Sequence, residues 1–268
     1  MKPKKSLMLA LAFSALCAAQ AQADPALQQI AWNNTARHGS VNDAAVASID
    51  PAQRIAPSIE QRLRDNLSAD ALENFGLFIY VSKAASGPWA QRMLVFQNIG
   101  GELLPLYNWP VSTGRETIEQ NARGVEMATA TPAGAYQLDP KRFYEEHRST
   151  QWNEPMPFAM FFNWKNHGVQ TGLAIHAASD AEVDRLGSRA SAGCVRLSPE
   201  NAQTLFTLIR DNYKGMAPKF GFDKYSGTIM NNGLIEHDAS GNVKMAPGYR
   251  VLVYIDEYGG ESLEARAY

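Results

Sequence analysis

The sequence predicts a mainly β fold of the α+β class, a sheet sandwich or barrel with one helix behind its chemical centre and a helical N-terminal extension. Three observations predict it. Six short runs rich in β-branched and aromatic residues follow one another between residues 77 and 176. Gly, Pro and Asn separate them, which is the punctuation of strands joined by turns. Helical periodicity is confined to one stretch before these runs and one after them.

Ahead of the first element, residues 1–23 read as a secretory signal peptide. Lys2, Lys4 and Lys5 precede an apolar run from Leu7 to Ala19, and Ala21-Gln22-Ala23 stands before Asp24-Pro25, so cleavage is expected after Ala23. The run falls short of the ~20 residues a membrane-crossing helix needs. Cys17 follows Leu16, where a lipidated cysteine wants a small residue before it, and this argues against a lipid anchor. Cleavage removes three lysines and no acid, which takes the formal charge from −2 to −5. A mildly acidic chain without a basic block excludes nucleic acid as an expected partner, and no second apolar stretch is long enough to span a bilayer.

Residues 24–57 are polar and Ala-rich, with Pro51 and Pro57 as breakers, and read as irregular extension. From Ser58 as N-cap, Ile59, Leu63, Leu67 and Leu72 recur at helical spacing up to Gly76, and this predicts a helix. Strands are then predicted at Leu77–Val81, Met93–Phe96, Leu103–Val111, Tyr136–Leu138, Phe158–Trp164 and Leu173–His176. A second helix starts with Ser198 as N-cap and Pro199 at its first position, carries Ala202, Leu205, Phe206 and Ile209 along one face, and closes over Asp211–Gly215. Two tail strands, Val243–Met245 and Arg250–Ile255, are expected to flank or complete the sheet. The implied division is a 24–75 extension, a 76–215 domain and a 216–268 β extension. Trp89, Trp109, Trp152, Phe161, Phe162 and Trp164 read as core, whereas the polar loop Phe143–Met156 reads as a lid over a cleft.

The chemistry starts from the cysteine count. After cleavage Cys194 is alone in an oxidising compartment and has no internal disulfide partner, which marks either a reactive thiol or a small buried hydrophobe. His176 ends an apolar run, and 18 positions later comes Arg189-Ala190-Ser191-Ala192-Gly193-Cys194-Val195-Arg196-Leu197. A thiol with an ordinary pKa near 8.5 is mostly unreactive at neutral pH, so an imidazole within reach would take its proton and later return it to a leaving group. Gly193 suits a tight turn, and the N–H groups of Gly193 and Cys194 are candidate oxyanion donors. The dipole of the Ser198 helix would favour thiolate if close enough. Arg189 and Arg196 suit either bidentate capture of a carboxylate or a structural ion pair. The remaining histidines, His38, His147, His167 and His237, form no metal-ligand spacing, so no metal is expected; His167 is the one placed to border the site.

Residues 173–197 resemble the signature of the L,D-transpeptidase catalytic domain family, in which a histidine ends a strand and a Ser-x-Gly-Cys-(Ile or Val)-Arg-Leu segment follows. Val111-Ser112-Thr113-Gly114, Thr131-Pro132-Ala133-Gly134-Ala135-Tyr136 and Pro155-Met156-Pro157-Phe158-Ala159-Met160 match in the same order, so the resemblance spans roughly residues 77–215. It implies a mainly β catalytic domain with Cys194 as nucleophile and His176 as base. It further implies that the base's second nitrogen rests on a backbone carbonyl, here that of Ala177, and that Gly193 and Cys194 supply the oxyanion donors. Arg196 would place the stem peptide, with Arg189 and Ser191 beside it.

The implied reaction is acyl transfer at the diaminopimelate–D-alanine bond of a peptidoglycan tetrapeptide stem to an amine, in the periplasm. No cofactor takes part, and a wall-anchored protein is a further candidate acceptor. The same residues would serve an L,D-carboxypeptidase using water. Two departures from the pattern, Ala177 where many members have glycine and Ala192 where many have a second histidine, leave a catalytically silent wall-binding module open. A redox thiol protein would lack a resolving cysteine.

Overall fold

A computed structural model describes residues 51–258, with side chains from Ser58 onward. The signal peptide, its cleavage site and residues 24–50 of the extension lie outside the described residues. In chain order the elements are helices α1 (Pro51–Asn66) and α2 (Ala69–Asn74), strands β1 (Leu77–Ser82), β2 (Arg92–Ile99) and β3 (Glu102–Pro110), and the hairpin β4 (Ile118–Gln120) with β5 (Glu126–Ala128). They continue with β6 (Gly134–Tyr144), β7 (Ala159–Phe162), the hairpin β8 (Lys165–Asn166) with β9 (Val169–Gln170), and β10 (Ala174–Ala177). A 3-10 turn (Asp180–Arg185), β11 (Val195–Leu197) and helix α3 (Pro199–Asn212) follow. The last elements are β12 (Lys214–Pro218), the hairpin β13 (Phe222–Asp223) with β14 (Thr228–Ile229), β15 (Met245–Tyr249) and β16 (Val251–Asp256). None of the described helices is long and apolar enough to cross a membrane.

Eight strands form one sheet in the order β11-β10-β7-β6-β16-β1-β2-β3. The β1–β16 and β10–β11 pairs are parallel, and the other pairs run antiparallel. Just beyond β3, Ser112 bridges to Arg196 on β11 and Gly114 bridges to Ser191, so the two edges of the sheet meet and the barrel nearly closes. Closure removes exposed strand edges, and here it also sets the 112–114 segment against the segment that carries Cys194. The parallel β10–β11 pair needs a long crossover; residues 178–194 supply it. Strand β16 sits at the middle of the sheet between β1 and β6, its Val251, Leu252, Val253 and Ile255 buried.

The first predicted helix differs from expectation at both ends. It begins at Pro51, runs through Pro57, and breaks after Asn66. Proline forfeits one backbone hydrogen bond, but a helix whose other bonds persist and whose Ile59 and Leu63 are fully buried continues past it. Ser68, in extended conformation, accepts from the Ala71 N–H and starts α2 afresh. Ile59, Leu63, Leu67 and Ala71 pack with Phe78, Tyr80, Phe96 and Leu103, so the extension and the sheet share one core. Helix α3 begins as read, with the Ser198 hydroxyl accepting from Asn201 N–H and Pro199 in the first turn, but it ends at Asn212, and Gly215 lies inside β12. The strand expected at Val243–Met245 is β15, displaced to Met245–Tyr249, and it pairs with β12 outside the main sheet.

Candidate active site

His176 is delivered by β10, where all four residues are buried, and the register sets it opposite Arg196 on β11. Cys194 immediately precedes β11, half-buried, and packs on the small cluster Met156, Ala159, Phe161 and Ala174. Both side chains line one open cavity of about 620 Å³, together with Arg196, Ala192, Glu182, Arg115, Trp152 and Trp164.

The imidazole Nδ1 lies 2.8 Å from the Ala177 carbonyl oxygen. A carbonyl only accepts, so Nδ1 carries the proton and Nε2 is left as the basic nitrogen of a neutral ring. Burial, and then the nearby Arg196 charge, pushes the His176 pKa down to about 3, so the ring is neutral at physiological pH. The Ala178 N–H, in the same peptide plane as the Ala177 carbonyl, donates to Leu197 O at 2.7 Å, which fixes the carbonyl that holds the ring. Burial raises the Cys194 thiol pKa, opposed by the Ala174 amide and the Arg196 charge. The thiol donates to Gly172 O at 3.7 Å. The resting site therefore holds a neutral thiol and a neutral imidazole on the same cavity.

The loop before Cys194 is held by small polar contacts. Gly193 adopts φ 125°, a conformation that disfavours a side chain, and a Cβ there would stand 2.9 Å from Ala130 O. The Gly193 N–H donates to Ser191 Oγ at 3.0 Å, and Ser191 Oγ donates to Cys194 O at 2.5 Å. The Gly193 amide, expected as an oxyanion donor, is thus engaged inside the loop, and Ser191, expected beside the substrate, is fully buried and shapes the turn.

Arg189 also lies away from the cavity. Its Nε donates to Lys83 O at 2.8 Å and its Nη2 meets Glu257 at 3.4 Å, so it is a loop staple and not a substrate clamp. Arg196 does line the cavity, but its Nη1 is committed to Glu182 and to Ala190 O, and its Nε is buried. The bidentate capture of a carboxylate expected of it is thus unavailable while that pair persists, and its charge acts on the cysteine and histidine.

The 143–156 loop forms one wall through Ser149, Gln151, Trp152 and Glu154, and Ala122 of the β4–β5 hairpin donates its N–H to Gln151 O at 3.0 Å. Trp152 is part of this wall and not core. His167 does not border the cavity: it sits in the β8–β9 turn with φ 47° and donates its N–H to Thr228 Oγ1. Sequence reading missed Arg115, which lines the cavity while pairing with Glu119 and donating to Ala190 O at 2.7 Å, and Glu182, the partner of Arg196. Both lie in charged segments whose pattern carries no sign of a site.

No curated protein matches the chain at significant similarity. Similar solved structures include an L,D-transpeptidase from Xylanimonas cellulosilytica (16% identity, 68% of this chain and 61% of that one, TM-score 0.38) and one from Stackebrandtia nassauensis (20% identity, 49% of each chain, TM-score 0.35). A third is L,D-transpeptidase 3 from Mycobacterium tuberculosis with a faropenem-derived adduct (15% identity, 68% and 61%, TM-score 0.35). The chain thus spans 49–61% of the length of these structures. The family model for the L,D-transpeptidase catalytic domain (YkuD) matches residues 78–233, more than half of the sequence, and the chain belongs to that family.

Proposed function

We propose that the protein is a peptidoglycan L,D-transpeptidase of the periplasm, exported by its first 23 residues, with Cys194 as nucleophile and His176 as general base. The observation that carries this reading is that Cys194 and His176 line one open cavity, with the ring held neutral and its Nδ1 occupied by Ala177 O. Sγ attacks the carbonyl carbon of the diaminopimelate–D-alanine bond as His176 Nε2 takes the thiol proton. The tetrahedral oxyanion collapses, the C–N bond breaks, and D-alanine leaves with the proton returned from Nε2. An acceptor amine, from a second stem or a wall-anchored protein, then attacks the thioester carbonyl, loses its proton to Nε2, and expels the thiolate, which is reprotonated.

A base with a pKa near 3 and a thiol whose pKa is raised do not form an ion pair at rest. Proton transfer then accompanies attack on bound substrate, which disfavours idle oxidation of the sulfur in an oxidising compartment.

Incubating the purified protein with tetrapeptide muropeptides tests the reading. Crosslinked dimers that disappear with Cys194→Ala support it. Tripeptide without dimers makes the enzyme an L,D-carboxypeptidase, and no turnover of any muropeptide makes it a silent wall-binding module.

A further inference from the structure

We infer that Thr131 is a positioning residue for acyl transfer: its hydroxyl fixes the Gly193–Cys194 peptide so that the Cys194 N–H is the main-chain donor to the oxyanion. The inference rests on the acyl-transfer reading above and concerns a residue that contributes no atom to the reaction.

Thr131 is fully buried, and each of its polar groups is engaged. Its carbonyl accepts from Lys83 Nζ at 2.8 Å, and Lys83, itself buried, is paired with Glu116 at 2.9 Å. Its N–H points to Glu116 Oε1 at 3.4 Å. Its hydroxyl lies 2.8 Å from Gly114 N and 2.6 Å from Gly193 O. The Gly114 N–H can only donate, so the hydroxyl must accept from it, and its single proton is committed to the Gly193 carbonyl. The direction of that hydrogen bond follows from the chemistry of the partners.

The consequence passes through one peptide plane. No peptide bond among the described residues is cis. In a trans peptide the carbonyl of one residue and the N–H of the next point in opposite directions. Holding Gly193 O on Thr131 therefore turns the Cys194 N–H away from Thr131. The Gly193 N–H is already spent on Ser191, whereas no group among the described residues accepts from the Cys194 N–H. It remains for a substrate oxygen attached to the carbon that Sγ attacks.

Backbone contact sets how closely the pieces meet. A Cβ on Gly114 would lie 2.1 Å from Thr129 O, and one on Gly193 would lie 2.9 Å from Ala130 O, so both glycines press against the 129–131 segment. Thr131 is the side chain that joins the two loops across that contact.

Thr131→Val keeps the shape and removes the hydroxyl, leaving Gly193 O without its donor and Gly114 N–H without its acceptor; Thr131→Ser restores both. Two reactions of Cys194 separate positioning from mere damage. Acylation by a carbapenem passes through a tetrahedral oxyanion, whereas alkylation by iodoacetamide displaces iodide at a saturated carbon and forms none. The expected result is that Thr131→Val slows acylation roughly 10- to 100-fold, leaves alkylation within about twofold of the parent, and is rescued by Thr131→Ser.

Equal acylation by Thr131→Val and parent overturns the inference. So does a parallel fall in acylation and alkylation, which would mean that the loop carrying the thiol has simply been lost. A parent that is alkylated but never acylated overturns the acyl-transfer reading first and the inference with it.

Discussion

At the scale of single residues, the site runs on burial. His176 loses its charge because β10 delivers it into the barrel wall beside Arg196, and Cys194 keeps its proton for the same reason of desolvation. A thiolate–imidazolium pair would show appreciable alkylation at acid pH. The neutral pair predicts instead that the iodoacetamide rate on Cys194 climbs tenfold per pH unit from pH 6 to beyond the ordinary thiol pKa, with no plateau at the acid end. Alkylation followed by stopped samples and mass spectrometry checks this, and an acid plateau would contradict it. The proposed nucleophile and base could be singled out in the sequence because their chemistry is local: a lone thiol, a glycine before it and a strand-end histidine, which the structure brings to one cavity. The roles of Arg189, Ser191 and the Gly193 amide were not, since each depends on a partner distant in sequence or on which way one N–H points, as with Lys83, Glu257 and the Ser191 hydroxyl.

At the scale of elements, α1 and the sheet depend on each other. Ile59 and Leu63 are fully buried against strands β1–β3, although they precede the residues that match the family. Leu63→Ala is expected to lower unfolding stability by about 2–5 kcal/mol, read as a lower denaturation midpoint with an unchanged denaturant slope; a change below about 0.5 kcal/mol would show that the helix is not part of the cooperative core. Seven of the eight strands of the main sheet were readable from their apolar runs, with ends shifted by up to six residues; the three-residue β11 was not. The small hairpins β4–β5, β8–β9 and β13–β14 were not, because two- or three-residue pairs lack the periodicity on which such reading relies. The break between α1 and α2 escaped notice for a related reason. Leu67 and Leu72 keep the helical spacing across it, and only the Ser68 cap marks the restart.

At the scale of the whole molecule, barrel closure makes the site. The bridges Ser112–Arg196 and Gly114–Ser191 join the two edges of the sheet, and Thr131 links both loops at that seam. The sequence stretches 111–114, 131–136 and 155–160, outlying in the chain, thus converge around residues 176–194; their order could be read, but their convergence depends on closure. Closure also carries a pH cost. The His176 pKa is 6.5 in an exposed chain and about 3 in the fold, so the unfolded state binds more protons between those values. Stability falls as pH drops from 6.5 towards 3 and is flat above 6.5 for this group. His176→Asn should flatten that decline in thermal melts taken between pH 4 and pH 7, and an unchanged slope would place the acid sensitivity elsewhere. The claim that Cys194 and His176 act together is tested most directly by intact and peptide-mapped mass spectrometry after exposure to a carbapenem at neutral pH. The account predicts one acyl adduct on Cys194 in the parent, none in Cys194→Ala, and a strongly slowed adduct in His176→Asn; an unmodified parent, or His176→Asn acylated at the parent's rate, would contradict it.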